Sequence, residues 1–249
     1  LVSVRGNPPD EYASFGLRLG MRLLYPHAAG VILQTARAKA WFCRAIRDKA
    51  VILPNPLHPD FLKTSLPAAR RPEVVTVATL YPVKNISMAL RAFAKVREEF
   101  PEWRFRIYGD GPERKELEAL SKELGLSESV VFCGEHTRVF EAIREASVYV
   151  LTSNTEGCPN ALIEAMSLGL ACISTDCPCG GPAELLRDGE NGFLIPVGDT
   201  EALSERLRLC MRDRALSERL GGEAAKIREY LAPDKVLRKW KDYVESKLL

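Results

Sequence analysis

The chain has 249 residues, 46% of them hydrophobic, and a formal net charge of +2. That composition supplies a proper core and gives no reason to expect nucleic acid as a partner. No apolar run approaches the ~20 residues of a membrane span, and the start does not read as a signal peptide. Leu1-Val2-Ser3-Val4 reads as the middle of a strand, and no initiator Met precedes it, so a piece of a longer protein is expected.

In chain order, residues 1–57 predict a thin unit. It holds strands at 1–4, 30–33 and 50–53 and helices at 10–24 and 36–46. Pro54-Asn55-Pro56-Leu57 is a stiff break, and 58–72 reads as a polar, Pro-rich linker. Beyond it, strands are expected at 74–78, 103–108, 130–133, 148–151, 170–174 and 192–195. Helices are expected at 86–100, 113–124, 139–145, 161–166, 200–210 and 216–229. This alternation argues an α/β fold with a doubly wound, Rossmann-like parallel sheet over 58–233 and a partial second Rossmann-like domain over 1–57. A terminal helix over 234–249 carries Lys235, Arg238, Lys239, Trp240, Lys241 and Lys247. It can touch an anionic membrane surface or dock onto 1–57 through Val236, Leu237, Trp240 and Val244; docking is the preferred reading.

Seven scattered cysteines, several inside expected strands, imply reduced thiols and a cytoplasmic location. Cys177-Pro178-Cys179 has no second pair or nearby His to complete a zinc site, so no metal is expected. His27, His58 and His136 read as structural or exposed.

The most informative run is Glu156-Gly157-Cys158-Pro159-Asn160-Ala161-Leu162-Ile163-Glu164, which joins a strand to a helix. In an open parallel sheet, ligands bind where a strand's carboxyl end meets a helix N-terminus. Backbone N–H groups of Asn160, Ala161 and Leu162 would face an anion there. The two carboxylates are too far apart to share a proton, roughly 12 Å on a continuous helix. They suit the two ends of an extended ligand with hydroxyls at both ends and a pyrophosphate between, such as a nucleoside diphosphate sugar. The plainer reading is a solvated loop Glu and a helix-surface Glu. Further loops leave strand ends: Thr79 to Asn85 with Lys84 just before a helix, Gly109-Asp110-Gly111-Pro112, Gly134-Glu135-His136-Thr137, and 175–184. A Lys at a helix N-terminus opposes the dipole unless an anion lies between them. The glycines at 109 and 111 let backbone approach a ligand or merely permit the turn.

Taken together, Lys84-Asn85, Gly109 to Pro112, Phe132-Cys133-Gly134, Glu156 to Met166, Gly181 to Glu184 and Asp188 to Leu194 resemble the retaining, family-four glycosyltransferases of GT-B architecture. Ser3 to Pro8, Leu24-Tyr25-Pro26 and Thr175 to Pro178 are most similar to the subgroup adding N-acetylhexosamines to lipid-linked oligosaccharides. The resemblance implies a UDP-sugar donor, a lipid- or polysaccharide-linked acceptor, work at the inner face of a membrane, and no metal or other cofactor. It gives catalytic roles to Glu156 and Lys84. Glu156, Gly157 and Asn160 would contact the donor sugar, and the amides to Leu162 its phosphates. Glu164 would take the ribose diol, and Lys84, with Asn85 and Thr79 beside it, the diphosphate. Gly109, Asp110, Cys133 and Gly134 would border the nucleotide, with Cys133 and Gly134 at the base. Transfer would be by front-face attack with retention.

Two departures bear on this. Thr79 stands where the family usually places Arg, a loss worth about 2–3 kcal/mol of charge-assisted bonding, for which Arg138 or Arg5 are candidate replacements. The front of the N-terminal domain, which in the family carries most of the acceptor site, is expected to lie outside this sequence. A non-catalytic nucleotide-sugar-binding module on the same fold is therefore a rival reading, and a sugar-nucleotide epimerase a third. The sequence does not speak to oligomeric state.

Overall fold

The computed structural model describes residues 1–248, so Leu249, the end of the expected terminal helix, lies outside the described residues. Two sheets form. The first is β1 (Val2–Ser3), β2 (Val31–Leu33) and β3 (Ala50–Ile52), in that order. The second is β4 (Arg71–Val77), β5 (Arg104–Tyr108), β6 (Val130–Gly134), β7 (Ala146–Leu151), β8 (Ala171–Thr175) and β9 (Phe193–Ile195), ordered β6-β5-β4-β7-β8-β9. Every pairing between these strands is parallel. Strand order reverses between β4 and β7, which is the switch point of a doubly wound sheet.

Alternation along the strands builds a core on each face. Val148 and Val150 point to one side, with Phe93 and Phe105 at 5.6 Å between ring centres; Tyr149 and Leu151 point to the other, with Leu162 and Met166. Each such fully buried side chain contributes about 1.5–3 kcal/mol. The first sheet has its own smaller core, in which Tyr12, Trp41 and Phe42 pack round Val31, Leu33 and Ile46.

Several expected elements are interrupted. Residues 10–24 divide into Pro8–Glu11 and Phe15–Leu24, because the Ser14 hydroxyl accepts the Leu17 N–H at 3.3 Å and starts a new helix. Residues 36–46 divide at Phe42, whose extended backbone turns its ring into the core. The expected linker carries the helix Pro59–Lys63 with Phe61 buried, and β4 begins at Arg71 within it. Residues 216–229 become Arg214–Ala225 and Ile227–Tyr230. The last helix, Pro233–Glu245, is shorter than expected and lies against both units. Val236 is buried in the larger unit's core, the Trp240 indole donates to Pro54 O at 3.1 Å, and the Tyr243 hydroxyl donates to Lys49 O at 3.0 Å. Leu237, expected in the docked face, is exposed.

Candidate functional site

The loops leaving β4 and β7 meet above the switch point, and they carry Lys84 and Glu156. The Lys84 ammonium donates to Glu156 Oε1 at 2.6 Å, and the Ser153 hydroxyl donates to the same oxygen at 2.7 Å. Side-chain exposure is 23% for Lys84 and 12% for Glu156, so the pair is largely shielded from water and its attraction is stronger than that of a surface pair. Here is the anion that a cation ahead of a helix requires: Glu156 neutralises Lys84 just before the helix Ile86–Val96.

Backbone contacts hold the two loops in register. The Thr152 hydroxyl donates to Lys84 O at 2.9 Å, and Asn154 N–H donates to Val83 O at 2.8 Å. Asn85 takes a left-handed conformation, φ 47°, and its amide donates to Asn154 Oδ1 at 3.2 Å. Asn and Asp tolerate that region better than other non-glycine residues. Glu156 is also fixed through its main chain. Its N–H donates to Pro178 O at 2.6 Å, and its carbonyl accepts from Cys179 N–H at 3.0 Å. Ser153 carries no motif of its own and sequence reasoning missed it; the loop 175–184 was expected on the rim, but not that Pro178 O would hold the Glu156 N–H.

The helix Asn160–Ser167 follows, with Pro159 as its N-cap. The Leu162 N–H is not free for a ligand, contrary to expectation. It donates to Pro159 O at 3.1 Å, and its side chain is fully buried. Asn160 and Ala161 retain unbonded N–H groups among the described residues, as the first turn of a helix must. The Asn160 side chain accepts from Asn55 Nδ2 at 2.7 Å, and Asn55 in turn accepts from Gln34 Nε2 at 2.7 Å and from the Arg5 guanidinium. A chain of amides from the first unit thus ends at this helix N-terminus. Gly157 serves the same junction. A Cβ there would stand 1.8 Å from Arg5 O, so the close approach of the two units is what requires glycine.

Glu164 lies elsewhere. It lines a groove of about 370 Å³ with Asn160, Pro56, His58, Pro233 and Leu237. Burial alone pushes its carboxyl group up to about 7. Glu156 faces Lys84 rather than this groove, and Asn160 stands between the two places.

The remaining expected residues answer mainly to their own chain. A Cβ on Gly109 (φ 123°) would stand 1.9 Å from Ala78 O, and one on Gly111 would stand 2.6 Å from Leu80 O. These glycines admit neighbouring backbone. The Asp110 carboxylate accepts Gly111 N–H at 2.7 Å and pairs with Arg114 at 2.9 Å. Both bonds hold it below the usual carboxylate range. Gly134 O accepts Gly109 N–H at 2.8 Å, and half-buried Cys133 packs on the core beneath. Thr79 is exposed. Of its two candidate substitutes, Arg138 is taken up by Glu141 at 2.5 Å and by the Phe140 ring. Arg5 bonds Asn55 and lies 5.8 Å from the Trp240 ring centre. His58 Nδ1 accepts Asp60 N–H at 3.4 Å, and His136 meets the Tyr108 ring edge-on. No cluster of three or more His, Cys, Asp or Glu among the described residues is arranged to hold a metal. No helix among them is long and apolar enough to cross a membrane.

Residues 60–227 match the family described as Glycosyl transferases group 1. The chain belongs to that family. It is 32% identical over 221 residues to an exopolysaccharide phosphotransferase of Streptomyces coelicolor, covering 87% of this chain and 23% of that protein. It is 28% identical over 224 residues to the amylovoran biosynthesis glycosyltransferase AmsD of Erwinia amylovora, covering 88% of this chain and 62% of that one. The chain therefore spans less than two thirds of these relatives. Among solved structures, HepE of Anabaena in complex with UDP superimposes with a TM-score of 0.86 at 22% identity, over 99% of this chain and 72% of that one. TarM of S. aureus, in a complex that includes UDP, gives 0.84 at 19% identity, over 97% and 50%. These likenesses establish the GT-B-type fold for this group 1 glycosyltransferase chain.

Proposed function

We propose that this chain is the donor-binding part, with a portion of the acceptor-side domain at 1–57, of a retaining glycosyltransferase. It moves a hexose or N-acetylhexosamine from a UDP-sugar to a lipid- or polysaccharide-linked acceptor in cell-surface glycan synthesis, at the inner face of a membrane. The observation that carries the reading is the Lys84–Glu156 pair at the switch point, 2.6 Å apart, beside the unbonded amides of Asn160 and Ala161. A dianionic diphosphate arriving there is met by one ammonium and two aligned N–H groups. Lys84 then leaves Glu156 for phosphate, and the released carboxylate accepts from sugar hydroxyls. Charge on the departing diphosphate is neutralised by Lys84 and the helix terminus, without calling on a metal. The side-chain partners of Glu156 are Lys84 and Ser153, not a second carboxylate. This favours front-face transfer over a two-carboxylate double displacement. Glu164, one helical turn beyond Asn160, takes the ribose diol, and Cys133 and Gly134 border the base.

Calorimetric titration with UDP tests this: binding is expected, and weaker binding in Glu164→Ala. Absence of heat, or an unaltered Glu164→Ala titration, removes the reading. The exposed Thr79, where a second cation is expected, favours the alternative of a non-catalytic nucleotide-sugar-binding module. Hydrolysis of UDP-sugar by the purified chain, abolished in Glu156→Gln, decides against that module.

A further inference from the structure

We propose that the groove between residues 7–9, the helix Ala36–Trp41 and the loop 176–179 is a carbohydrate subsite that holds one sugar ring of the glycosyl acceptor. The proposal rests on the transferase reading above and adds the acceptor's position to it. The groove encloses about 210 Å³, the scale of a single ring rather than of a nucleotide sugar, and the smaller unit lines it with Asn7, Pro8, Arg37 and Trp41, the larger with Asp176 and Pro178. It adjoins the reacting centre through one hydrogen bond, since Pro178 O is the acceptor for Glu156 N–H at 2.6 Å.

The lining is built rather than incidental. Arg37 and Asp176 form a two-pronged pair across the units, Nη1 to Oδ1 at 2.6 Å and Nη2 to Oδ2 at 3.0 Å. The stem of Arg37 occupies the space a side chain at 180 would need. A Cβ on Gly180 (φ 86°) would stand 2.5 Å from Arg37 Cδ. Trp41 is held by stacking on Tyr12, 5.9 Å between ring centres at 19°. An indole and two prolines offer a rigid apolar surface for the C–H face of a pyranose. The guanidinium–carboxylate pair keeps spare donors and acceptors for its hydroxyl rim. The Arg37–Asp176 pair has no net charge with which to draw in a phosphate, and a hydrocarbon chain would leave it desolvated. A sugar satisfies both halves of the lining. Because the walls come from both units, the subsite exists only while they are docked.

The test uses this chain, with methyl α-glucopyranoside and methyl N-acetylglucosaminide as probes in saturation-transfer NMR, alone and with UDP. Ring protons of at least one glycoside are expected to receive saturation from aromatic protein protons. Arg37→Ala and Asp176→Ala are expected to weaken that binding roughly ten-fold or more with UDP affinity unchanged. Trp41→Phe, which keeps an aromatic ring on Tyr12, is expected to weaken it less. Saturation transfer to neither glycoside, or unaltered affinity in both alanine variants, overturns the subsite. So does a parallel loss of UDP affinity, which would make the pair a latch between the units. Failure of UDP to bind the parent chain would sink the donor reading, while the glycoside titrations still decide the subsite.

Discussion

At Glu156 the carboxylate is met by Lys84 and by the Ser153 hydroxyl, while the residue's own N–H and C=O are bonded to Pro178 and Cys179. At Glu164, eight residues on, burial alone acts on the carboxyl group and raises it to about 7. Two identical side chains in one short run therefore carry opposite electrostatics. The first is a charge already compensated, which a ligand must re-pair. The second is held close to neutral and gains most by receiving hydroxyl donors. One end of this run thus holds a strong, fixed interaction and the other an adjustable one.

The largest effect that would sharpen this contrast is on turnover. Glu156→Gln and Lys84→Met should each lower sugar transfer or donor hydrolysis by roughly 10²–10³-fold, as loss of a group aimed at developing charge does. Stabilities should diverge in parallel. Glu156→Ala strands a shielded lysine and is expected to cost about 1–3 kcal/mol in urea unfolding, with part regained in the Glu156→Ala/Lys84→Met double variant. Unchanged stability in the single variant would break the idea that this charge is already compensated. Next comes the junction that supports Glu156. Gly157→Ala sets a methyl 1.8 Å from Arg5 O and should destabilise by about 1–3 kcal/mol, with faster proteolysis between the units near residues 54–57.

At the other carboxylate the effects are smaller and depend on pH. The native Glu164 keeps its proton up to about 7, against an ordinary value of 4.5. Between those values the folded chain holds a proton that the unfolded chain has released, so stability falls as pH rises through that window and levels off above it. Glu164→Gln should flatten this part of the stability profile. UDP affinity should rise as pH approaches 7, because the ribose diol donates best to the ionised form, and Glu164→Gln should lose that component. An identical profile in the variant would show that the elevated group is elsewhere. The smallest expected effect is on the last helix, Pro233–Glu245. Trp240→Phe removes the 3.1 Å bond to Pro54 O and should cost about 1 kcal/mol without altering UDP binding.

Much of the architecture was legible because it rests on periodicity. The unbroken apolar run Val148-Tyr149-Val150-Leu151 marks a strand buried on both faces, and Gly157 with Pro159 marks the break before the helix. The candidate residues could be named from the sequence, but not the partners they meet. Lys84 and Glu156 are 72 positions apart, and local pattern says nothing about which distant charge a side chain meets. Leu162 misled for a local reason: its N–H turns back to Pro159 O within the first helical turn. Gly109 and Gly111 were read as openings toward a ligand or as plain turn residues, and the space beside them is filled by the backbone of Ala78 and Leu80.

The sequence by itself determined the alternating strands and helices, the breaks between them and the set of chemical groups at the strand ends, since these depend on side-chain period and on glycine and proline backbone preferences. Tertiary structure alone decided the strand order that brings the β4 and β7 loops together and the ion pair formed there. It also decided the solvation that separates Glu164 from Glu156, and the closure of residues 7–9 and Ala36–Trp41 over the loop 176–179. Each of these is a long-range property: charge, burial and enclosure depend on atoms that the chain brings near only by folding.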